Sequence, residues 1–149
     1  MAIEKFRGKY RFLSNFWPAE VTFDGEEYES TEHAYQAAKT LDLELRKKFR
    51  ATEDSPAPTA GETKKMARKI TVRSDWEQVK LGIMEDLVRQ KFQHEDLKAQ
   101  LLVTGEEELI EGNTWGDVFW GRCDGVGENH LGRILMKIRT ELRKQDELS

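Results

Sequence analysis

The order of apolar and polar positions divides the chain into short elements. Residues 9 to 29 alternate aromatic and polar side chains around Asp24-Gly25, with Val21 and Phe23 before that pair and Tyr28 after it. Period-two alternation about such a pair predicts a β-hairpin, because successive strand side chains face opposite ways and Asp-Gly accepts left-handed backbone. The preceding YRFLSNFWPAE ends its apolar run at Pro18 and enters the hairpin from a loop. Ser30 offers a capping oxygen and Glu32 a first-turn carboxylate, so a helix is expected over about 31–40.

Asp42 and LELRKKF predict a second short helix, stopped before Ser55-Pro56-Ala57-Pro58, which reads as a surface loop. Thr59 or Gly61 opens a short basic helix through Ile70. After Ser74 and Asp75, Trp76, Val79, Ile83, Leu87 and Val88 keep the helical period as far as Phe92. His94 to Val103 predicts a further helical stretch, and Leu109-Ile110-Glu111 a short strand with Val118 to Cys123 as its partner. The last helix opens near Asn129 and carries the stripe Leu131, Ile134, Leu135, Ile138 and Leu142. These elements amount to an α+β fold, predominantly α, in one compact domain over 1–149 with a small antiparallel sheet or hairpin.

Composition agrees with that picture. A chain of 149 residues, 38% hydrophobic with 3 Pro and 11 Gly, has the length for one core and lacks the bias of a disordered chain. Charges in its first residues and the lack of a long uncharged apolar run lead us to expect neither a signal peptide nor a membrane span, and a cytoplasmic protein. Cys123 stands alone beside three histidines, so we expect no internal disulfide, no metal and no cofactor.

Charge is uneven. The whole chain holds 24 basic and 28 acidic side chains, yet residues 39–73 hold 10 basic against 5 acidic, a local excess that attracts phosphates or other anions. A solvated helix face produces the same pattern.

Two clusters could carry chemistry. In STEHAYQAAKT, helical spacing sets Glu32, Tyr35, Gln36 and Lys39 on one face and leaves Ala34, Ala37, Ala38 and Leu41 for packing. That face lines a polar pocket or is simply the exposed side of an amphipathic helix. The helix dipole favours ionised Glu32, a base or cation stabiliser. It favours protonated Lys39, which opposes nucleophilic use unless burial or another cation lowers the lysine pKa. His33 reads as a packed or surface histidine. The second cluster, NTWGDVFWGRCDGVGENHLG, offers Asn113, Trp115, Asp117, Trp120, Asp124 and Asn129 among glycines. Gly125 and Gly127 would let backbone approach a ligand, the helix start near Asn129 would give N–H groups to a phosphate, and the tryptophans would stack on a base. It is not a dinucleotide fingerprint, since His130 stands where a glycine is needed. A turn with core tryptophans reads equally well.

Taken together, FLSNFWPAEVTFDGEEYEST, EHAYQAAK and FWGRCDGVGENHLGRILMKIR resemble the YbiA-like family, also called NADAR, over nearly the whole chain. The resemblance implies a compact, mainly helical YbiA-like domain and N-glycosidase activity, a hydrolase acting on N-glycosyl bonds. The substrates it implies are ribosylaminopyrimidine intermediates of riboflavin synthesis, or ADP-ribose attached to guanine, for which a nearby gene would encode an ADP-ribosyltransferase. Glu32, Lys39 and Asp117 match the family's functional positions, with Trp120 beside them. Asn15, Trp76 and Asn129 are pocket residues by the same resemblance. Members often carry a proline and an aliphatic residue where this chain has Glu29 and Thr31, a departure at the helix entrance that bears on substrate preference. The expected chemistry is hydrolysis of a ribosyl C–N bond through oxocarbenium character, or by an imine at Lys39. The alternative is a module that binds ADP-ribose or NAD without turnover. Net acidity argues against a purely structural nucleic-acid binder.

Overall fold

The computed structural model describes residues 1–148. The chain forms two compact units, one made of Met1–Ser14 with Phe92–Ser149 and the other of Asn15–Lys91. Each is taken in turn.

In the unit Asn15–Lys91, strands β2 (Pro18–Phe23) and β3 (Glu26–Ser30) form the expected antiparallel hairpin. Asp24 (φ 48°) and Gly25 (φ 82°) both adopt left-handed backbone, as a tight two-residue turn requires. Strand β3 runs directly into helix α1 (Thr31–Ala37), whose cap is the predicted one: Ser30 Oγ accepts from His33 N at 3.2 Å. Asn15 O takes the next N–H, that of Glu32, at 3.1 Å. Helix α1 stops earlier than its sequence pattern suggests. Lys39 N and Thr40 N bond to carbonyls only three residues back, and distant donors claim the carbonyls that follow, Arg73 N bonding Lys39 O and Arg46 Nε bonding Thr40 O. The tightened last turn ends the helix at Ala37 instead of near 40.

Helix α2 (Leu43–Arg46) opens on Asp42, whose Oδ1 accepts from Glu44 N and Leu45 N, and continues as a 3-10 turn to Phe49. Helix α3 (Ala60–Ala67) opens on a reciprocal capping box between Thr59 and Glu62, and helix α4 (Trp76–Lys91) has the expected bounds. Helix α1 packs against β2, β3, α3 and α4 and is buried over its whole length. Leu41, expected to pack, is 63% exposed because the helix has already ended.

In the other unit, β1 (Ala2–Ile3) pairs in parallel with β4 (Glu108–Leu109), and β5 (Gly112–Asn113) in parallel with β6 (Arg122–Cys123). This corrects the expected pairing of 109–111 with 118–123: the strand at Leu109 joins the N-terminal strand, and the Cys123 segment joins residues 112–113. Helix α5 (Glu95–Val103) and helix α6 (His130–Leu148) complete the unit, and every member of the α6 stripe is buried. Gly132 lies so close to Leu109 O that a Cβ there would overlap the carbonyl.

Asn129, 1% exposed and left-handed at φ 55°, ties this unit together. Its Nδ2 donates to Leu109 O and its Oδ1 accepts from Glu111 N, both at 2.9 Å. Asn129→Ala strands both backbone groups and forces alanine into left-handed backbone. We expect it to cost about 3 kcal/mol of stability, read as a lower urea midpoint; a loss within experimental error would show that the clamp is dispensable.

Candidate active site

The structure separates the two sequence clusters between the two units. Glu32, Tyr35, Gln36, Lys39, Trp76 and Asn15 belong to Asn15–Lys91, whereas Asp117, Trp120, Gly125, Gly127 and Asn129 belong to the other unit.

On α1 the i, i+4 spacing does what the pattern predicts. Gln36 Nε2 donates to Glu32 Oε2 at 2.7 Å, and Lys39 Nζ lies 5.4 Å from the centroid of the Tyr35 ring. The Trp76 ring, at the start of α4, stands 5.2 Å from Tyr35 at 55°. This is no solvated face, because Glu32, Tyr35, Gln36 and Trp76 are all buried and Lys39 is half-buried. Asn15 donates from Nδ2 to Met84 Sδ at 3.5 Å, in addition to its main-chain bond to Glu32.

Burial acts on both members of the pair and, at Glu32, opposes the helix dipole. Desolvation pushes the Glu32 carboxyl above its ordinary value, against the opposing pull of the Gln36 hydrogen bond and of Lys64, Lys39 and His33. Desolvation also pushes Lys39 down, helped by the charges of Lys64 and Lys80 and opposed by Glu32. The acid is biased towards its neutral form and the amine towards its neutral form, which equips Glu32 to donate a proton and Lys39 to attack. Nζ of Lys39 makes no hydrogen bond or ion pair among the described residues. Lys64 and Lys80 were not singled out for the site from sequence. For Lys80 a signal existed, since it lies four residues from Trp76 on α4 and so shares its face.

His33 is structural. Its Nε2 is 2.7 Å from Pro58 O and its Nδ1 2.6 Å from Ser30 Oγ. A carbonyl only accepts, so in the neutral ring Nε2 carries the proton and Nδ1 accepts from the serine hydroxyl. At the helix entrance, Glu29 accepts from Ala51 N through Oε2 at 3.2 Å, and Thr31 is completely buried.

The glycine-rich cluster is used in holding itself. Asp117 Oδ1 accepts from Phe119 N and Trp120 N at 3.1 and 2.9 Å, and its own main chain is clasped by Asn113. The N–H groups expected to meet a phosphate are already donated: those of Glu128, Asn129, His130 and Leu131 go to the carbonyls of Val118, Gly121, Phe119 and Trp120. Gly127 lets backbone approach closely, but that backbone is Gly121–Arg122 of this chain. Gly125 (φ 78°) forms a turn with Asp124 (φ 52°) and lies in the open. Trp120 packs edge-on to Phe119 at 4.8 Å, while Trp115 is 55% exposed.

The basic run also divides. Arg46, 3% exposed, pairs with Asp24 at 2.7 Å; Arg50 meets Glu26 at 3.6 Å and Tyr28 Oη at 3.3 Å; Arg73 grips Asp75 at 2.6 Å. Lys48, Lys65, Arg68 and Lys69 remain exposed for an external anion.

The NADAR domain family matches residues 4–143. The chain belongs to the NADAR family. Among NADAR relatives, the protein named N-glycosidase YbiA of Escherichia coli is 37% identical over 137 residues, covering 89% of this chain and 82% of its own length. The riboflavin biosynthesis protein VVA0006 of Vibrio vulnificus is 41% identical over 137 residues; this chain spans only 36% of its length. The solution structure of E. coli YbiA superposes with a TM-score of 0.81 at 33% identity, over 99% of this chain and 86% of that one. The mixed, mainly helical architecture is therefore a NADAR architecture. No helix among the described residues is long and apolar enough to cross a membrane.

Two outcomes are expected. A folded pKa raised above the unfolded one makes the Glu32 contribution to stability complete below the unfolded value and lost as pH rises through the folded value. Glu32→Gln does not titrate, so its melting temperature relative to wild type climbs as pH rises through that window; a flat or falling difference would mean that the carboxyl is not desolvated. Lys64→Gln removes a charge that lowers both pKa values, so Glu32 and Lys39 both titrate at higher pH in the variant. Carbon-detected NMR titration reads both groups, and a downward move of either contradicts the assigned role of Lys64.

Proposed function

We propose that the chain is an N-glycosidase that hydrolyses a ribosyl C–N bond at the Glu32–Lys39 site of α1. The observation that carries this is the pair itself: a buried acid biased towards its protonated form and a half-buried amine biased towards its free form, seven residues apart on the same face, with Tyr35 and Trp76 beside them. Its relatives' names support the reaction class.

Glu32 donates its proton to the departing nitrogen as the C1–N bond breaks, and the Lys39 amine forms a new bond to C1 and gives its surplus proton back to the Glu32 carboxylate. The lysyl ribosylamine opens to the isomeric imine without loss of atoms. Water then adds to C1 and releases the free sugar, restoring the amine. Tyr35 and Trp76 offer apolar walls to the leaving base. In this reading Asp117 organises the loop 113–120, and Asn129 and Gly127 act as structural residues.

The substrate is a ribosylated small molecule, with a ribosylaminopyrimidine of riboflavin synthesis as the first choice. The second is ADP-ribosylated guanine in nucleic acid. It draws on the exposed Lys48, Lys65, Arg68 and Lys69, and would pair the enzyme with an ADP-ribosyltransferase encoded nearby. We place the activity in the cytoplasm, and we treat the two units as one functional domain because the family match runs through both.

Incubation with a ribosylaminopyrimidine, followed by mass spectrometry, should show free base and free sugar. Glu32→Gln should reduce the rate by about 100-fold or more. Cyanoborohydride added during turnover should fix the sugar on Lys39 as a stable secondary amine, and Lys39→Arg should abolish the adduct. Turnover without any adduct would return the chemistry to direct attack by water. Ligand binding without turnover would make the protein a reader of ribosylated molecules.

A further inference from the structure

Gln36 has a second, open end. Its side chain is 5% exposed, and Nε2 is committed to Glu32 Oε2 at 2.7 Å. Its Oε1 is buried and accepts from no group of the protein. An unpaired buried carbonyl oxygen is costly to keep, so the fold maintains, beside the reacting carboxyl, an acceptor that no group among the described residues satisfies.

The chemistry of a riboside identifies that donor. Glu32 faces the C1–N bond in the proposed reaction, and the group on the neighbouring ring carbon is the C2 hydroxyl. Glu32 and Gln36 are likewise neighbours, joined by one hydrogen bond, so a sugar whose C1 substituent meets the carboxyl presents its C2 hydroxyl to the other end of the amide. As positive charge grows at C1 that hydroxyl becomes a stronger donor, and hydrogen bonds to it tighten in the transition state. An amine on the base lies on the far side of the scissile nitrogen from C2 and does not share this coupling to the sugar's charge.

Resting on the N-glycosidase reading, we infer that Gln36 is a positioning and specificity residue: Nε2 holds Glu32, and Oε1 accepts the C2 hydroxyl of the ribosyl group, selecting ribosides over 2-deoxyribosides.

The test compares kcat/KM for a ribosylaminopyrimidine and its 2-deoxyribosyl counterpart in wild type, Gln36→Met and Gln36→Glu. Comparing this substrate ratio between variant and wild type cancels the intrinsic reactivity of each sugar. Gln36→Met removes both ends of the amide and should lower the riboside preference by about tenfold, the order of one net hydrogen bond. It also deletes the bond that holds the Glu32 pKa down, so the limb of the pH profile belonging to Glu32 moves to higher pH. Gln36→Glu keeps an acceptor and should keep the preference, which preserves the test if the methionine variant does not fold. An unchanged ratio in folded Gln36→Met, or a ratio lost in folded Gln36→Glu, overturns the inference. A wild type inert towards both sugars and towards ADP-ribosylated guanine overturns the N-glycosidase reading, and the inference falls with it; activity on the guanine substrate alone moves the same comparison to that riboside and its 2-deoxy counterpart; a wild type that cleaves both sugars with no effect of Gln36 leaves that reading standing and removes the inference alone.

Discussion

The unit Asn15–Lys91 depends on the burial of a polar helix. Helix α1 has seven residues, among them Thr31, Glu32, His33 and Gln36, and all seven are buried. A helix that short and that polar is not stable in isolation, because most helical stability in proteins comes from packing. Here the hairpin, α3 and α4 enclose it, and its polar groups are met individually except Gln36 Oε1 and Thr31 Oγ1. Ser30 and Asn15 take the first N–H groups, His33 is held at both ring nitrogens, and Gln36 reaches Glu32. Alanines at 34, 37 and 38, all without exposed surface, let the neighbours approach closely enough to do this. Enlarging any of them would push apart the elements that keep Glu32 away from water.

The other unit answers a different difficulty. Its strands are two residues long and supply few ladder bonds, so side chains and loop carbonyls take over the pairing of backbone groups. Asn129 bridges Leu109 and Glu111, Asp117 turns the chain at Phe119, and the carbonyls of 118–121 receive the N–H groups that open α6. Residue types that resemble ligand-binding machinery, including Asp, Asn and Gly, serve here as replacements for missing secondary structure. The backbone N–H groups of residues 128–131 are taken up by that loop and are not offered to a phosphate.

The local parts of this architecture were readable in the sequence. The Asp24-Gly25 turn, the Ser30 and Asp42 caps and the α6 stripe each depend on residues within a turn or two of one another. The α1 face carrying Glu32, Tyr35, Gln36 and Lys39 was legible for the same reason, through its spacing. What was not legible is set by partners far along the chain. Ile3 meets Leu109 across more than a hundred positions, Arg46 and Arg73 claim the carbonyls that end α1, and Arg46, Arg50 and Arg73 find acids that a charge count treats as unrelated. Whether a polar face lies in water or in protein is decided by these long-range contacts, and so the protonation of Glu32 was too.

Relative magnitudes show why burial outweighs the helix dipole at Glu32. A carboxylate in the first turn of a helix gains about 0.3–1 kcal/mol from the dipole when exposed, and a helix of seven residues offers little more. Removing the same carboxylate from water can move its pKa by several units, each worth about 1.4 kcal/mol. Burial therefore dominates for Glu32, even with Gln36 and three cations or potential cations pulling the other way. The same term acts on Lys39 with the opposite sign, because for an amine the charged form is the protonated one. One physical cause, exclusion of water around α1, thus shifts an acid and an amine seven residues apart towards the two neutral forms that the proposed cleavage uses. A site whose groups were set by the dipole would hold ionised Glu32 and protonated Lys39, a stable ion pair with neither a proton to give nor an electron pair to offer.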